Sequence, residues 1–219
     1  IITLERGLYV LKKAHAEDRR AALPEIKSAI VIRGNGSELR RYATDDFRLF
    51  HVAEGAHLRL EGVILAEGSI GVIRNHGTAE LRRVALVDST ARGASAIVEN
   101  YGEMRFEHCE VSFNTVAGAS RDAGTIINWG TLTMSSTTFQ GNHLSRRYEG
   151  VALASTVLNY GTADIRDVII AENIAGDAEA NGAPQAPLVN LGNGRLALKL
   201  IREHDNVPGQ ALVARSAAP

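Results

Sequence analysis

Apolar side chains recur at fixed distances after the glycines of a series of Asn-x-Gly tripeptides. The tripeptides end at Gly77, Gly102, Gly130 and Gly161, and looser copies are centred on Ala56 and Gly194. The positions two, four, seven and nine residues after each glycine are mostly apolar, as in Met104, Phe106, Cys109 and Val111. This is an alternation of period two with one extra residue in the middle. It predicts two short strands joined by a bend, with all four side chains on one face.

A third strand is expected before each glycine. An apolar β-branched residue stands four positions upstream of five of the six anchors, at Val52, Ile73, Val98, Ile126 and Val157. The segments between successive copies are too short for a crossover helix. Three short strands per copy, none able to bury its apolar face alone, are typical of a parallel β-helix, or β-solenoid, in which coils stack on one another. The sequence therefore predicts an all-β, single-domain solenoid.

Two polar positions also recur in every coil. Twelve residues after each anchor stand Ser89 and then four asparagines, at Asn114, Asn142, Asn173 and Asn206. Stacked asparagines can bond to one another from coil to coil, so we interpret these four as a structural ladder rather than as a ligand site. The Asn-x-Gly tripeptide predicts a second turn, in which the glycine takes a positive φ.

The spacing between successive anchors lengthens steadily along the chain, and all of the added residues fall between the ladder asparagine and the next Asn-x-Gly. This places growing loops on one side of the solenoid, at 115 to 127, 143 to 158 and 174 to 192. Loops on a rigid scaffold often carry binding residues. The candidate binding residues on this face are Arg121, Asp122, Arg146, Arg147, Tyr148 and Glu149. A guanidinium group and an aromatic ring could contact an acidic sugar, a phosphate or a protein, although solvated loop charges would look the same.

The ends of the chain depart from the repeat. Residues 1–22 predict an opening strand pair and a charged segment that caps the stack, residues 23–206 the coils, and residues 207–219 a C-terminal cap or linker. Some cap is expected because an end coil otherwise exposes apolar side chains and strand edges.

Composition narrows the classes of function. The 219 residues include 24 basic and 25 acidic side chains, for a net charge of −1, so no overall positive field favours nucleic acid. Cys109 is the only cysteine and falls in an inward column, which predicts a buried thiol. No apolar run is long enough to span a bilayer. The histidines have no ligand spacing, so no metal site and no cofactor is expected.

Taken together, these repeats resemble the right-handed parallel β-helix repeats of bacterial secreted and surface proteins, including polymorphic outer-membrane-protein repeats. The resemblance rests on segments 2–9, 23–26, 30–36 and 50–62 and on the Asn-x-Gly coils. It implies the fold, and an extracellular or cell-surface location. The same helix serves adhesins, fibres, lyases and hydrolases, so it implies no single function.

Catalysis would require a cluster of carboxylates that the repeat does not provide. Outward carboxylates occur at Asp88, Glu107, Glu110, Asp164 and Asp167, but they do not align into one group. We therefore expect a noncatalytic structural or interaction module that contacts a protein or a polysaccharide, as a homo-oligomer or within a larger assembly. The alternative is a polysaccharide lyase or glycoside hydrolase of the β-helix type.

Overall fold

The computed structural model describes residues 1–15, 20–92, 96–119, 122–146, 152–176, 185–207 and 213–215. These residues contain no helix, and their strands stack as a parallel β-solenoid of about 6 turns. The predicted fold class is confirmed. The strands are β1 (Ile2–Thr3), β2 (Leu8–Leu11), β3 (Ala29–Arg41), β4 (Phe50–Val52), β5 (His57–Ala66), β6 (Ile73–Asn75), β7 (Thr78–Arg82), β8 (Ala85–Val87), β9 (Ala96–Asn100), β10 (Glu103–Glu107), β11 (Glu110–Ser112), β12 (Thr115–Ala119), β13 (Ala123–Asn128), β14 (Thr131–Gln140), β15 (His143–Arg146), β16 (Leu153–Asn159), β17 (Thr162–Ala171), β18 (Ile174–Ala175), β19 (Gln185–Asn190), β20 (Arg195–His204) and β21 (Val213–Arg215).

The strands form three parallel sheets. Sheet 1 contains 11 strands, from β1 and β2 to β20, and carries the two strands that follow each anchor. Sheet 2 contains β12, β15 and β18, and sheet 3 contains seven strands, β4, β6, β9, β13, β16, β19 and β21. From β3 onward the chain therefore alternates between sheets 1 and 3, three coils add a strand of sheet 2 in between, and neighbouring coils are hydrogen-bonded to each other.

Sheet 1 bends where the sequence has its extra residue. In β14 the bend is at Ser136, which has a φ of 48°, and equivalent residues of neighbouring coils are also in the left-handed region. They are Gly62, Arg83, His108, Asp167 and Leu200. One left-handed residue turns the chain while keeping the flanking apolar residues on the inside, which explains the interrupted alternation.

The core follows the predicted columns. Met104 pairs in register with Ala79 and Leu132, and Phe106 with Leu81 and Met134, and all six are buried. Cys109 is buried as expected and has no disulfide partner. Burial raises the pKa of its thiol, so the thiol is held in its unreactive protonated form.

The coiled region extends further than residues 23–206. Strands β1 and β2 each pair in parallel with β3, so they are the first rung of sheet 1 rather than a separate strand pair. Strand β21 pairs in parallel with β19, so residues 213–215 continue sheet 3. Residues 16–19 of the charged segment lie outside the described residues, as does the tail beyond 207 except for residues 213–215.

Candidate functional site

The asparagines predicted as a ladder are joined by side-chain hydrogen bonds. Asn114 Nδ2 donates to Asn142 Oδ1 at 3.0 Å, Asn142 Nδ2 to Asn173 Oδ1 at 2.8 Å, and Asn173 Nδ2 to Asn206 Oδ1 at 3.1 Å. Each acceptor oxygen also takes the backbone N–H of the preceding coil's asparagine, as Asn142 Oδ1 does from Asn114 at 3.1 Å. The side-chain amides of these asparagines are therefore engaged in hydrogen bonds between successive coils.

A second asparagine ladder runs through the Asn-x-Gly tripeptides. Its side-chain hydrogen bonds, each 2.7 or 2.8 Å long, join Asn75 to Asn100, Asn128, Asn159 and Asn190 in succession. The expectation that the neighbouring glycines need a positive φ is wrong. A Cβ on Gly130 would lie 2.0 Å from the carbonyl oxygen of Gly102, so glycine is required by the close approach of successive coils.

The middle residues of the same tripeptides form an aromatic stack. The ring centroids of His76 and Tyr101 are 4.6 Å apart, those of Tyr101 and Trp129 4.5 Å, and those of Trp129 and Tyr160 5.9 Å, all with an interplanar angle of 2°. Trp129 is 38% exposed, but each inner ring face is covered by the next ring. Because sugars pack on open ring faces, the stack is better suited to holding coils together than to binding a glycan. Sequence analysis missed it, although aromatic residues at three of the four middle positions were a visible signal.

A buried ion-pair cluster lies beside this stack on the outer side of sheet 3. Glu99 Oε2 accepts from Arg74 Nε at 2.8 Å and from Arg48 Nη1 at 3.3 Å. The Arg74 guanidinium also lies 5.6 Å from the centroid of the Tyr101 ring, which is within range of a cation–π interaction. Burial lowers the pKa of Arg48, and the carboxylate of Glu99 opposes this shift. Sequence analysis did not identify these residues, because the column of Arg74 and Glu99 becomes apolar in the next coils, at Ile127 and Leu158, and so gives no repeating charge.

The predicted binding residues are described only in part. Asp122 is hydrogen-bonded, because its carboxylate accepts from the backbone N–H of Ala152 and from the hydroxyl of Tyr160, at 2.8 and 2.7 Å. Asp122 therefore fixes the insert of its coil to the end of the aromatic stack. Arg146 ends β15, and its side chain lies outside the described residues, as do Arg121, Arg147, Tyr148 and Glu149 altogether.

The inserts are less loop-like than their composition predicted. Segment 115 to 127 contains β12 and most of β13, and segment 143 to 158 contains β15 and most of β16. These segments become strands because each lies against an equivalent segment of the next coil and pairs with it in parallel. Thr115, His143 and Ile174 occupy equivalent places on the outer side of sheet 2, and we call this side the insert wall.

Three outward carboxylates of sheet 1, those of Glu107, Asp164 and Asp167, are paired with arginines rather than with one another. Glu107 lies 3.0 Å from Arg82, and Asp164 pairs with Arg166. The hydrogen bond from Arg166 lowers the pKa of Asp164, which favours the ionised form. A general acid needs the opposite shift.

A groove crosses three coils at the bend of sheet 1. Its volume is about 530 Å³, and its lining includes Arg83, His108, Glu110, Ser136, Thr138 and Gln140. Arg83 and His108 are the left-handed residues of successive coils, so their side chains leave the sheet side by side.

The described residues contain no group of three or more His, Cys, Asp or Glu side chains able to hold a metal ion. Within the same part of the chain, no helix has the length and apolar character needed to cross a membrane. Comparison of the sequence with protein-family models and with curated proteins found no match.

Proposed function

We propose that the chain is a noncatalytic, extracellular or cell-surface solenoid that serves as a rigid structural and interaction module, with the insert wall as its contact face. The observation that carries the proposal is the continuity of three side-chain columns across the coils. Two asparagine ladders and one aromatic stack use the recurring polar and aromatic positions for contacts between coils.

Rigidity matters for such a role because a preorganised surface loses little conformational entropy on binding. The insert wall carries segments whose length differs from coil to coil, and the solenoid holds them as a rigid scaffold. The Asp122–Tyr160 hydrogen bond ties an insert directly to the aromatic stack, and so supports the view that the wall has a defined shape. The surface location rests on the resemblance of the repeats to those of secreted and surface proteins.

The state of the titratable groups supports a noncatalytic role over the lyase or hydrolase alternative. Hydrogen bonds from arginines lower the pKa values of Glu61 and Asp164, and burial raises that of the Cys109 thiol. Hydrolysis of a glycoside usually needs one carboxylic acid with a raised pKa beside a second carboxylate. These pKa changes do not produce that combination.

The contact face is tested by combining Arg146→Ala, Arg147→Ala and Tyr148→Ala in one variant. Light scattering coupled to size exclusion would report assembly, and a glycan array would report sugar binding. We expect the triple variant to fold as the wild type does but to lose assembly or binding. A matched control is Arg195→Ala with Lys199→Ala, two exposed cations on β20 of sheet 1. An equal loss in both variants, or in neither, would remove the insert wall from consideration.

The catalytic alternative has a direct assay. The chain is incubated with uronate polymers, with and without calcium, while the absorbance of the unsaturated product is followed. We expect no product. Turnover that disappears on replacement of an outward carboxylate would overturn the noncatalytic proposal.

A further inference from the structure

The groove at the bend of sheet 1 contains two basic side chains, Arg83 and His108, that lie beside no carboxylate partner among the described residues. Elsewhere on this face Arg59, Arg82 and Arg166 lie beside carboxylates. Within the described part of the chain, neither the Arg83 guanidinium nor the His108 imidazole has a hydrogen-bond or ion-pair partner. An unpaired guanidinium and an imidazole that share a concave surface can both donate hydrogen bonds to an anionic group, and a guanidinium matches the planar geometry of a carboxylate.

The remainder of the lining is polar and suits hydroxyl groups. Glu110 adds a carboxylate, one oxygen of which accepts from Ser112 at 2.6 Å. Gln140 uses its Nε2 to donate to Glu172 at 3.1 Å, which leaves its carbonyl oxygen as an acceptor. The Thr138 hydroxyl has no partner among the described residues. The groove therefore offers one guanidinium and one imidazole for an anion and acceptors for hydroxyls, a mixture that matches a sugar acid better than a polyphosphate or a sulfate-rich chain.

An exposed aromatic ring stands next to the groove. Phe113 is 56% exposed, and its ring lies against Gly141, where a Cβ would come within 2.8 Å of the ring carbons. Its backbone N–H donates to the carbonyl of Gln140, a residue of the groove lining. Unlike the rings of the aromatic stack, Phe113 takes part in no ring-stacking contact with a described residue, so it can pack against the apolar face of a sugar.

We propose that this groove binds an acidic polysaccharide of the polyuronate class. The chain lies along the solenoid axis, with a uronate carboxylate on Arg83 and His108, ring hydroxyls on Glu110, Thr138 and Gln140, and one sugar ring against Phe113. Parallel coils place equivalent positions about 4.8 Å apart, close to the advance per sugar in an extended glycan. The groove and the insert wall belong to different sheets, so this inference and the proposed function succeed or fail separately.

The test is isothermal titration calorimetry of the full chain with galacturonate, glucuronate, mannuronate and guluronate oligomers. A neutral galactose oligomer and dextran sulfate serve as ligand controls. We expect binding of at least one uronate oligomer, weaker binding of dextran sulfate and none of the neutral chain. The substitution Arg83→Asn removes the charge, and asparagine tolerates the left-handed backbone at this position. We expect it to weaken uronate binding about tenfold or more, as for loss of a charge-assisted hydrogen bond.

Two further variants keep the test specific. Phe113→Ala should also weaken uronate binding, whereas Arg195→Asn, the same substitution at an exposed site outside the groove, should leave it unchanged. Circular dichroism would establish that each variant is folded. Absence of binding to all four uronate oligomers would overturn the proposal. Equal losses in Arg83→Asn and Arg195→Asn, or equal affinity for dextran sulfate, would also overturn it by showing nonspecific attraction of polyanions.

Discussion

Arg48 Nη1 lies 3.3 Å from Glu99 Oε2, and the two residues are only 4% and 5% exposed. Arg74 shares the same carboxylate oxygen. Glu99 stands in register with Ile127, whose own partner in the next coil is Leu158, so the carboxylate occupies a column that is apolar in the later coils. Removing one member of a buried pair leaves the other charged and without compensation.

We therefore expect Glu99→Gln to lower the free energy of unfolding by about 3–5 kcal/mol, because Arg48 and Arg74 lose their shared counterion. Urea denaturation followed by circular dichroism would measure this. The double variant Arg48→Met with Glu99→Leu removes both buried charges and should recover most of the loss. A Glu99→Gln chain as stable as the wild type would show that the pair contributes little.

Repetition determined which of these features the sequence could predict. The inward columns through Met104 and Phe106 and the ladder through Asn142 recur in nearly every coil, so their spacing alone indicated them. The charged cluster around Glu99 and the unpaired side chains of Arg83 and His108 are each confined to two or three successive coils. Their proximity depends on register between coils, which a spacing pattern does not assign to single charged residues.

The glycines of the tripeptides show a different limit. Their recurrence was evident, but a sequence cannot distinguish a glycine that needs a positive φ from one that needs space. Gly130 is of the second kind, and the left-handed positions instead include bulky residues such as Arg83 and Phe113. Arg83 lies at the bend within sheet 1, and Phe113 lies between β11 and β12, where the chain turns from sheet 1 to sheet 2.

The ladder predicts a position-specific cost for losing one asparagine. In Asn142→Ala, the backbone N–H of Asn114 and the carbonyl of Val111 lose their partner in a buried site. We expect a loss of about 2 kcal/mol in unfolding free energy, since buried polar groups would remain unsatisfied. Asn193→Ala, the same change at an exposed position, should shift stability by no more than about 0.5 kcal/mol. Chemical denaturation of both variants would check this, and equal effects would contradict a ladder role.

The close approach of coils predicts a steric effect at Gly130. An added methyl group would lie 2.0 Å from the Gly102 oxygen, so Gly130→Ala must push two coils apart. We expect it to cost more than about 1 kcal/mol. At Gly7 the nearest atom to a new Cβ is 3.9 Å away, and Gly7→Ala should be nearly neutral. Thermal unfolding of the two alanine variants compares the same chemical change in tight and open surroundings, and matching melting temperatures would refute the steric explanation.

The aromatic stack predicts a dependence of stability on pH. Partial desolvation against the stack, together with repulsion from Arg74 and His51, lowers the pKa of His76 below its usual 6.5, although Glu99 and Glu54 act in the opposite direction. The folded chain therefore binds fewer protons at His76 than the unfolded chain does when the pH is below 6.5. The contribution of this group is fully present above that pH and is lost as the pH falls toward the folded-state pKa.

We accordingly expect the wild type to lose stability between pH 7 and pH 5, and His76→Gln to lose less over the same interval because its side chain cannot be protonated. The measurement is the midpoint of urea denaturation at a series of pH values. His143→Gln provides the control, since His143 is exposed on the insert wall and lies outside the stack. If His76→Gln and His143→Gln changed the pH dependence equally, burial in the stack could not be its cause. A specific effect of His76→Gln would show that the stack contributes to folding as a packed column, as its 4.6 Å spacing to Tyr101 implies.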